Sequence, residues 1–183
     1  MSSATITSFS IGALLLLAIV GIESRIMTNS EGVTLDQMNK EHLAAVTQIV
    51  SNDVRKIGYG VNGNGIVTYE PNEISFKCDL YNKGNINQIT WKFDKTATIS
   101  SNQNPNVGLL TRTVDGNKTQ IPYGVTRFQI VMLDSLGHQT TSTANAKQIQ
   151  IKIDCQSPVK SNGNYFTSTW QHTFTPTNLK LKK

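Results

Sequence analysis

The sequence predicts an α+β fold: one long N-terminal helix, hydrophobic and then amphipathic, packed on a head of antiparallel β-sheet. Three observations carry this reading. An uncharged apolar run near the N-terminus leads into apolar residues recurring at three- and four-residue steps. From Gly60 onward the pattern changes to period two, punctuated by turn residues. The helical and strand patterns are also segregated along the chain rather than alternating, an order that places a helix over one face of an antiparallel sheet. The expected units are residues 1–32, a hydrophobic helix and junction; 33–58, an amphipathic helix; and 59–183, the β head.

The first element is the stretch Ile6 to Ile22, "ITSFSIGALLLLAIVGI", which carries no charge. As a helix it reaches roughly 25 Å, just short of the ~30 Å hydrocarbon layer of a bilayer. A cleaved secretory signal is the rival reading. The segment ahead of the run lacks a basic region, however, and "GIESRIM" after it is a poor cleavage site. A buried core helix is disfavoured, because a domain of this size seldom buries a helix that is apolar on every side. A retained hydrophobic helix is the expectation.

Past Thr28–Gly32 the pattern turns amphipathic. Leu35, Met38, Val46, Ile49, Val50, Val54 and Ile57 form one stripe, with His42 near it. Thr34 and Gln37 have capping-box spacing, which predicts a helix start at Thr34 and leaves open a kink at Gly32. Gly58 and Gly60 are suited to positive φ at a helix end, and Arg55 and Lys56 oppose the helix dipole in the last turn, so the helix is expected to stop near Ile57. Tyr59 is expected to pack back on the helix or onto a sheet.

The strand region begins with a hairpin: Glu73–Tyr81, a turn at "NKG", and Gln88–Asp94. Val107–Val114 and "KTQIPYG" flank a "DGN" turn at Asp115–Asn117. Val125–Asp134 and Ala146–Cys155 flank "SLGH", and the Thr-rich "NYFTSTWQHTFTP" closes the set. Five or six antiparallel strands are expected.

Composition narrows the function classes. Only 16% of the 183 residues are charged, which suits an extracytoplasmic, polar-surfaced β protein better than a cytosolic enzyme. The net charge of +5 is spread along the chain, and only the terminal "LKLKK" forms a basic cluster, so no nucleic-acid partner is expected. His42, His138 and His172 have no neighbouring acid or nucleophile in a catalytic arrangement, and no enzymatic activity and no cofactor are expected. Asp79 has the look of a calcium loop, but Tyr81 and Lys83 occupy the third and fifth positions, where oxygen ligands are needed; the turn reading is preferred and no metal is expected. "GVNGNG" at Gly60–Gly65 lacks the strand before and the helix after that a phosphate loop needs. Cys78 and Cys155 both fall in predicted strands at apolar-face positions. They are a disulfide candidate if the head faces an oxidising compartment, with two buried free thiols as the alternative.

The order of these features resembles the PilW-type minor pilins of type IV pili and the J-type pseudopilins of type II secretion, over nearly the whole chain. A helix closing on "D-x-R-x-x-G-Y" is matched by Asp53, Arg55, Gly58 and Tyr59. An "I-x-F-x-x-D" strand with a glycine turn is matched by Ile74, Phe76, Asp79 and Gly84. Leu110, Arg112, Gly124, Val125, Asp134 and Gly137 match a leucine-x-arginine strand, a "G-V" pair and an "x-D-x-x-G" turn. Ahead of the hydrophobic helix the sequence departs from the usual pilin pattern, with no short basic leader, no glycine before a cleavage point and no glutamate at a fifth mature position; Glu23 lies at the far end of the apolar run instead. The expectation is a divergent pilin-like chain kept with its full N-terminus, or a sequence that begins within or after the processing region.

The resemblance implies a structural subunit of a pilus-like or pseudopilus filament. Its partners would be further copies of itself or other pilin-like subunits, and membrane lipid before assembly. The segment Gly12, Ala13, Leu14, Leu15, Leu16, Leu17, Ala18, Ile19, Val20 and Gly21 would be the assembly helix, its small residues allowing close approach. The implied location is the inner membrane with an extracytoplasmic head, then a cell-surface or periplasmic filament. The alternative is a membrane-tethered β-domain that binds a surface ligand.

Overall fold

The structure is a computed structural model that describes residues 3–97, 99 and 102–180. The last three residues of the basic cluster "LKLKK" lie outside that range. An α+β layout is observed. Helix α1 (Ser3–Arg55) is followed by β1 (Ile66–Glu70), β2 (Glu73–Cys78), β3 (Asn87–Asp94), β4 (Leu109–Val114), β5 (Asn117–Ile121), β6 (Val125–Leu133), β7 (Gln148–Gln156), β8 (Thr167–Phe174) and the short α2 (Thr177–Lys180).

Helix α1 is continuous over 53 residues, and it neither breaks at Gly32 nor restarts at Thr34. The Thr34 hydroxyl donates back to the Ser30 carbonyl at 2.9 Å, and Gln37 donates to Glu41, so the expected capping box does not form. Glycine inside a helix costs only about 1 kcal/mol relative to alanine. The Phe166 ring edge would lie 3.4 Å from a Cβ at position 32, an ordinary packing distance.

The buried seam of α1 runs Leu35, Asn39, Leu43, Val46, Val50, Val54, each three or four residues on from the last. Met38 is 40% exposed and falls off the seam, its expected place taken by the polar Asn39. Each apolar side chain in the seam contributes about 1.5–3 kcal/mol through burial. The seam lies across β7 and β8.

Among the described residues the strands number eight, in two antiparallel sheets rather than one: a five-stranded sheet in the order β1-β2-β3-β4-β5 and a three-stranded sheet in the order β6-β7-β8. The predicted pairs β2–β3 and β4–β5 lie in the first sheet, and the predicted pair β6–β7 lies in the second. β2 stops at Cys78, short of the predicted Tyr81, because Asp79 begins a turn. β4 and β5 are joined by Asp115 and Gly116, both at positive φ (49° and 86°), the two-residue geometry whose twist matches that of paired strands. Ile149, Ile151 and Ile153 of β7 point inward opposite Met132, Ile130 and Phe128 of β6, while Gln150 and Lys152 point outward. The sheets are tied to each other by the Ile130 N–H donating to the Pro71 carbonyl (2.8 Å) and by Gly108 N–H donating to the Val125 carbonyl (2.9 Å). Trp91 of β3 stacks on Phe128 of β6 across the junction, so helix and both sheets share one core.

Candidate functional site

The segment expected to carry assembly is placed without a partner in the chain. From Ser8 to Met27 every residue of α1 is exposed, including Leu14, Leu15, Leu16, Leu17, Ile19 and Val20. Nothing approaches the positions where Gly12 and Gly21 would carry side chains, and Ala13 and Ala18 are equally open. By length and composition this part of the helix is sufficient to cross a membrane. A contiguous apolar surface of this extent on an otherwise polar protein marks a place where lipid or another protein belongs.

The other end of α1 is fixed to the head by groups that the sequence motifs had named separately. Asp53 is buried and accepts three hydrogen bonds: from Arg112 Nε (2.6 Å), from Arg112 Nη2 (2.9 Å) and from the Trp91 indole (3.0 Å). Trp91 and Arg112 sit directly opposite each other on β3 and β4, so their donors converge on one carboxylate from the helix. The hydrogen bonds that Arg112 donates to Asp53 outweigh the opposing effect of burial and, with the carboxylate's charge, leave the Arg112 guanidinium even more firmly protonated than usual. A two-pronged, partly buried pair of this kind fixes orientation as well as distance.

The chain leaves α1 through Gly58, at φ +75°, where a side chain would also press on Asn178 at 3.2 Å. The turn is stitched to the end of β2: Gly58 N–H donates to the Lys77 carbonyl, Asp79 N–H to the Tyr59 carbonyl, and Lys56 Nζ to the Leu80 carbonyl at 2.7 Å. Tyr59 lies in the turn that follows directly on the end of α1. It stands half exposed in an open cleft of about 370 Å³ with Arg55, Lys56, Asp79 and Tyr81. Arg55 is exposed in that cleft and has no carboxylate partner among the described residues.

Asp79 serves the turn. Burial works against its charge, but the N–H groups of Gly84 (2.7 Å) and Lys83 (3.0 Å) outweigh that and hold the carboxyl below its ordinary range. Gly137 closes the comparable Asp134 turn, and Gly124 precedes Val125 at the start of β6. The histidines are dispersed: His42 stacks on Tyr123, His138 lies 3.7 Å from Asp134, and His172 sits between Trp170 and Phe174 on β8. Among the described residues no group of three or more His, Cys, Asp or Glu side chains is placed to hold a metal ion.

The expected disulfide is not formed. Cys78 and Cys155 are free and buried, on β2 of one sheet and β7 of the other, each packed as a small apolar side chain of its own sheet. Burial is the main force pushing the Cys78 thiol up to about 11 and the Cys155 thiol up to about 12, with Asp53 and Asp154, respectively, adding to it.

Asn39 is the site residue that sequence periodicity missed. It is buried, and its Nδ2 group donates to the Cys155 carbonyl (3.1 Å), the Phe166 carbonyl (3.3 Å) and the Ser168 hydroxyl (2.9 Å). A polar residue at a four-residue step between Leu35 and Leu43 was the available signal. No protein-family model matches this chain, and no curated protein matches it.

Proposed function

We propose that the chain is a pilin-like structural subunit, held in a membrane by the apolar half of α1 before assembly and packed through that half against neighbouring subunits in a filament. One observation carries this reading: a single unbroken helix is exposed and largely apolar from Ser8 to Met27 and buries one seam against a β head from Leu35 onward. The rigid attachment through Asp53, Trp91 and Arg112 supports it, because a helix that bears load from its neighbours must pass that load to the head without a hinge. The resemblance of the motif order to minor pilins and pseudopilins supports it independently.

A second reading, a membrane-tethered binding module, draws on the open cleft beside Arg55, Tyr59 and Tyr81. Self-assembly separates the two. Material sheared from cells producing the protein is imaged by negative-stain electron microscopy, and the N-terminus of the chain in the same fraction is fixed by mass spectrometry. Filaments containing the chain with its apolar helix intact are the expected result. A chain found only as a detergent-soluble monomer, absent from every filament, would sink the assembly reading and leave the tethered module.

A further inference from the structure

We propose that the loop from Ser157 to Phe166 is a membrane foot, which seats the head in the headgroup layer and brings Lys160 and Tyr165 against the phosphate of an anionic lipid. The inference rests on reading the apolar half of α1 as membrane-spanning before assembly.

Axial distance places the loop. The uncharged run ending at Ile22 covers roughly 25 Å of a ~30 Å hydrocarbon layer, so the next turn completes the span. Ile26 and Met27 in that turn are exposed and apolar, and Glu23 and Arg25 have side chains long enough to reach the interface. The hydrocarbon edge therefore falls near Met27. The loop packs beside the residues that follow: Ser161, Asn162 and Asn164 share a cleft of about 480 Å³ with Thr28, Asn29 and Gly32 of α1. Thr28 is one residue past the edge and Gly32 five, or about 2 to 7 Å along the axis. The headgroup region of one leaflet is itself about 5–8 Å deep.

The loop is held at that height. Ser157 N–H donates to the Phe166 carbonyl (2.9 Å), Phe166 N–H donates to the Ser157 hydroxyl (3.0 Å), and Ser161 and Asn164 exchange backbone hydrogen bonds. Asn39 reaches from the helix to the Phe166 carbonyl, which ties the foot directly to α1.

Its chemistry suits an interface. Lys160 is the loop's one charged side chain, is exposed, and has no carboxylate partner among the described residues. Its Nζ lies 5.3 Å over the Tyr165 ring. A tyrosine at headgroup depth keeps an apolar body toward lipid and a hydroxyl toward water, and a lysine beside it is drawn to anionic phosphate.

The test uses the full chain in nanodiscs of phosphatidylcholine alone or of an equal mixture with phosphatidylglycerol. A fluorophore is attached at Asn164→Cys or, as a control at the opposite end of the head, at Leu136→Cys; the native thiols are buried and stay unlabelled. Quenching by a nitroxide carried on the lipid headgroup reports contact. The expected result is strong quenching at position 164 and little at 136, with Lys160→Ala lowering the 164 contact by about fivefold in the anionic discs, the ratio for one basic residue at a charged surface. Equal quenching at 164 and 136 in chain that remains in the disc overturns the foot. Quenching at 164 that ignores both Lys160→Ala and phosphatidylglycerol overturns the anionic headgroup as its partner. A chain that does not enter the discs at all overturns the membrane-spanning reading beneath it, an outcome visible separately in the disc fraction.

Discussion

Asp53 is where single residues matter most. Its side chain is 4% exposed and accepts from two strands at once, so removing it leaves Arg112 and the Trp91 indole without their acceptor. Breaking a buried pair by deleting one partner costs about 3–5 kcal/mol, far above the value of an exposed ion pair. Asp53→Ala is therefore expected to lower the unfolding free energy of the detergent-solubilised chain by that amount in a denaturant titration. Adding Arg112→Leu to it should restore part of the loss, because the stranded charge is then gone; equal or larger loss in the double variant would contradict the account. The thiols give a second expectation. With Cys78 and Cys155 raised to about 11 and about 12 from an ordinary 9.0, both are neutral in the folded protein at neutral pH. Neither should react with iodoacetamide until the chain unfolds, as read by mass spectrometry. Raised folded values mean that the thiols' contribution to stability is complete below pH 9 and falls as the pH climbs from there toward 11 and 12, so alkaline denaturation should begin earlier than in a Cys78→Ala, Cys155→Ala double variant.

At the scale of elements, the helix end is set by backbone geometry as much as by packing. Gly58→Ala forces a side chain into φ +75° and against Asn178, and an L-residue in that region costs about 1–2 kcal/mol before the clash is counted. Thermal unfolding should show a drop of that order or more, whereas Gly84→Ala, at a matching φ of +79° but with open space around it, isolates the backbone part. The same elements show what was legible in the sequence. Period-two alternation found β3, β6 and β7, since each has one face in the core and one in water, and it found β2 by the same alternation of residue type although Ser75 is buried between Ile74 and Phe76. It missed β1, whose five residues bury only Ile66 fully and so present no alternation. The seam of α1 was read correctly at Leu35, Val46, Val50 and Val54, but Asn39 was invisible to an apolar count because its burial depends on acceptors from residues 155–168, more than a hundred positions away. The division into two sheets was likewise not legible, as it is decided by which strand edges meet. Asp53 and Arg112 were each singled out by pattern, and only the fold brought them together.

For the whole molecule, the decisive asymmetry is that no core side chain among the described residues precedes Leu35, while the continuous exposed apolar surface of α1 ends at Met27, with Val33 and Met38 the only large apolar side chains of the helix exposed beyond it. The head and the exposed helix are thus separate in their energetics although continuous in backbone. Removal of residues 1–27 takes no described side chain from the core, so the shortened chain is expected to be water-soluble and monomeric by sedimentation, with a cooperative unfolding transition close to that of the full chain in detergent. Leu16→Arg in the full chain tests the other half. A charge at the centre of the apolar run costs about 2.5–3.5 kcal/mol on insertion into a bilayer, and a comparable desolvation penalty meets it between packed helices. The variant should keep a folded head, measured by the unchanged near-ultraviolet signal of Trp91 and Trp170, yet fail to enter both membrane and filament fractions. If the truncated chain aggregated, or if Leu16→Arg disrupted the head, the exposed helix would have to contribute to the fold itself. The separation of an autonomous head from an apolar helix that needs an outside partner would then fail.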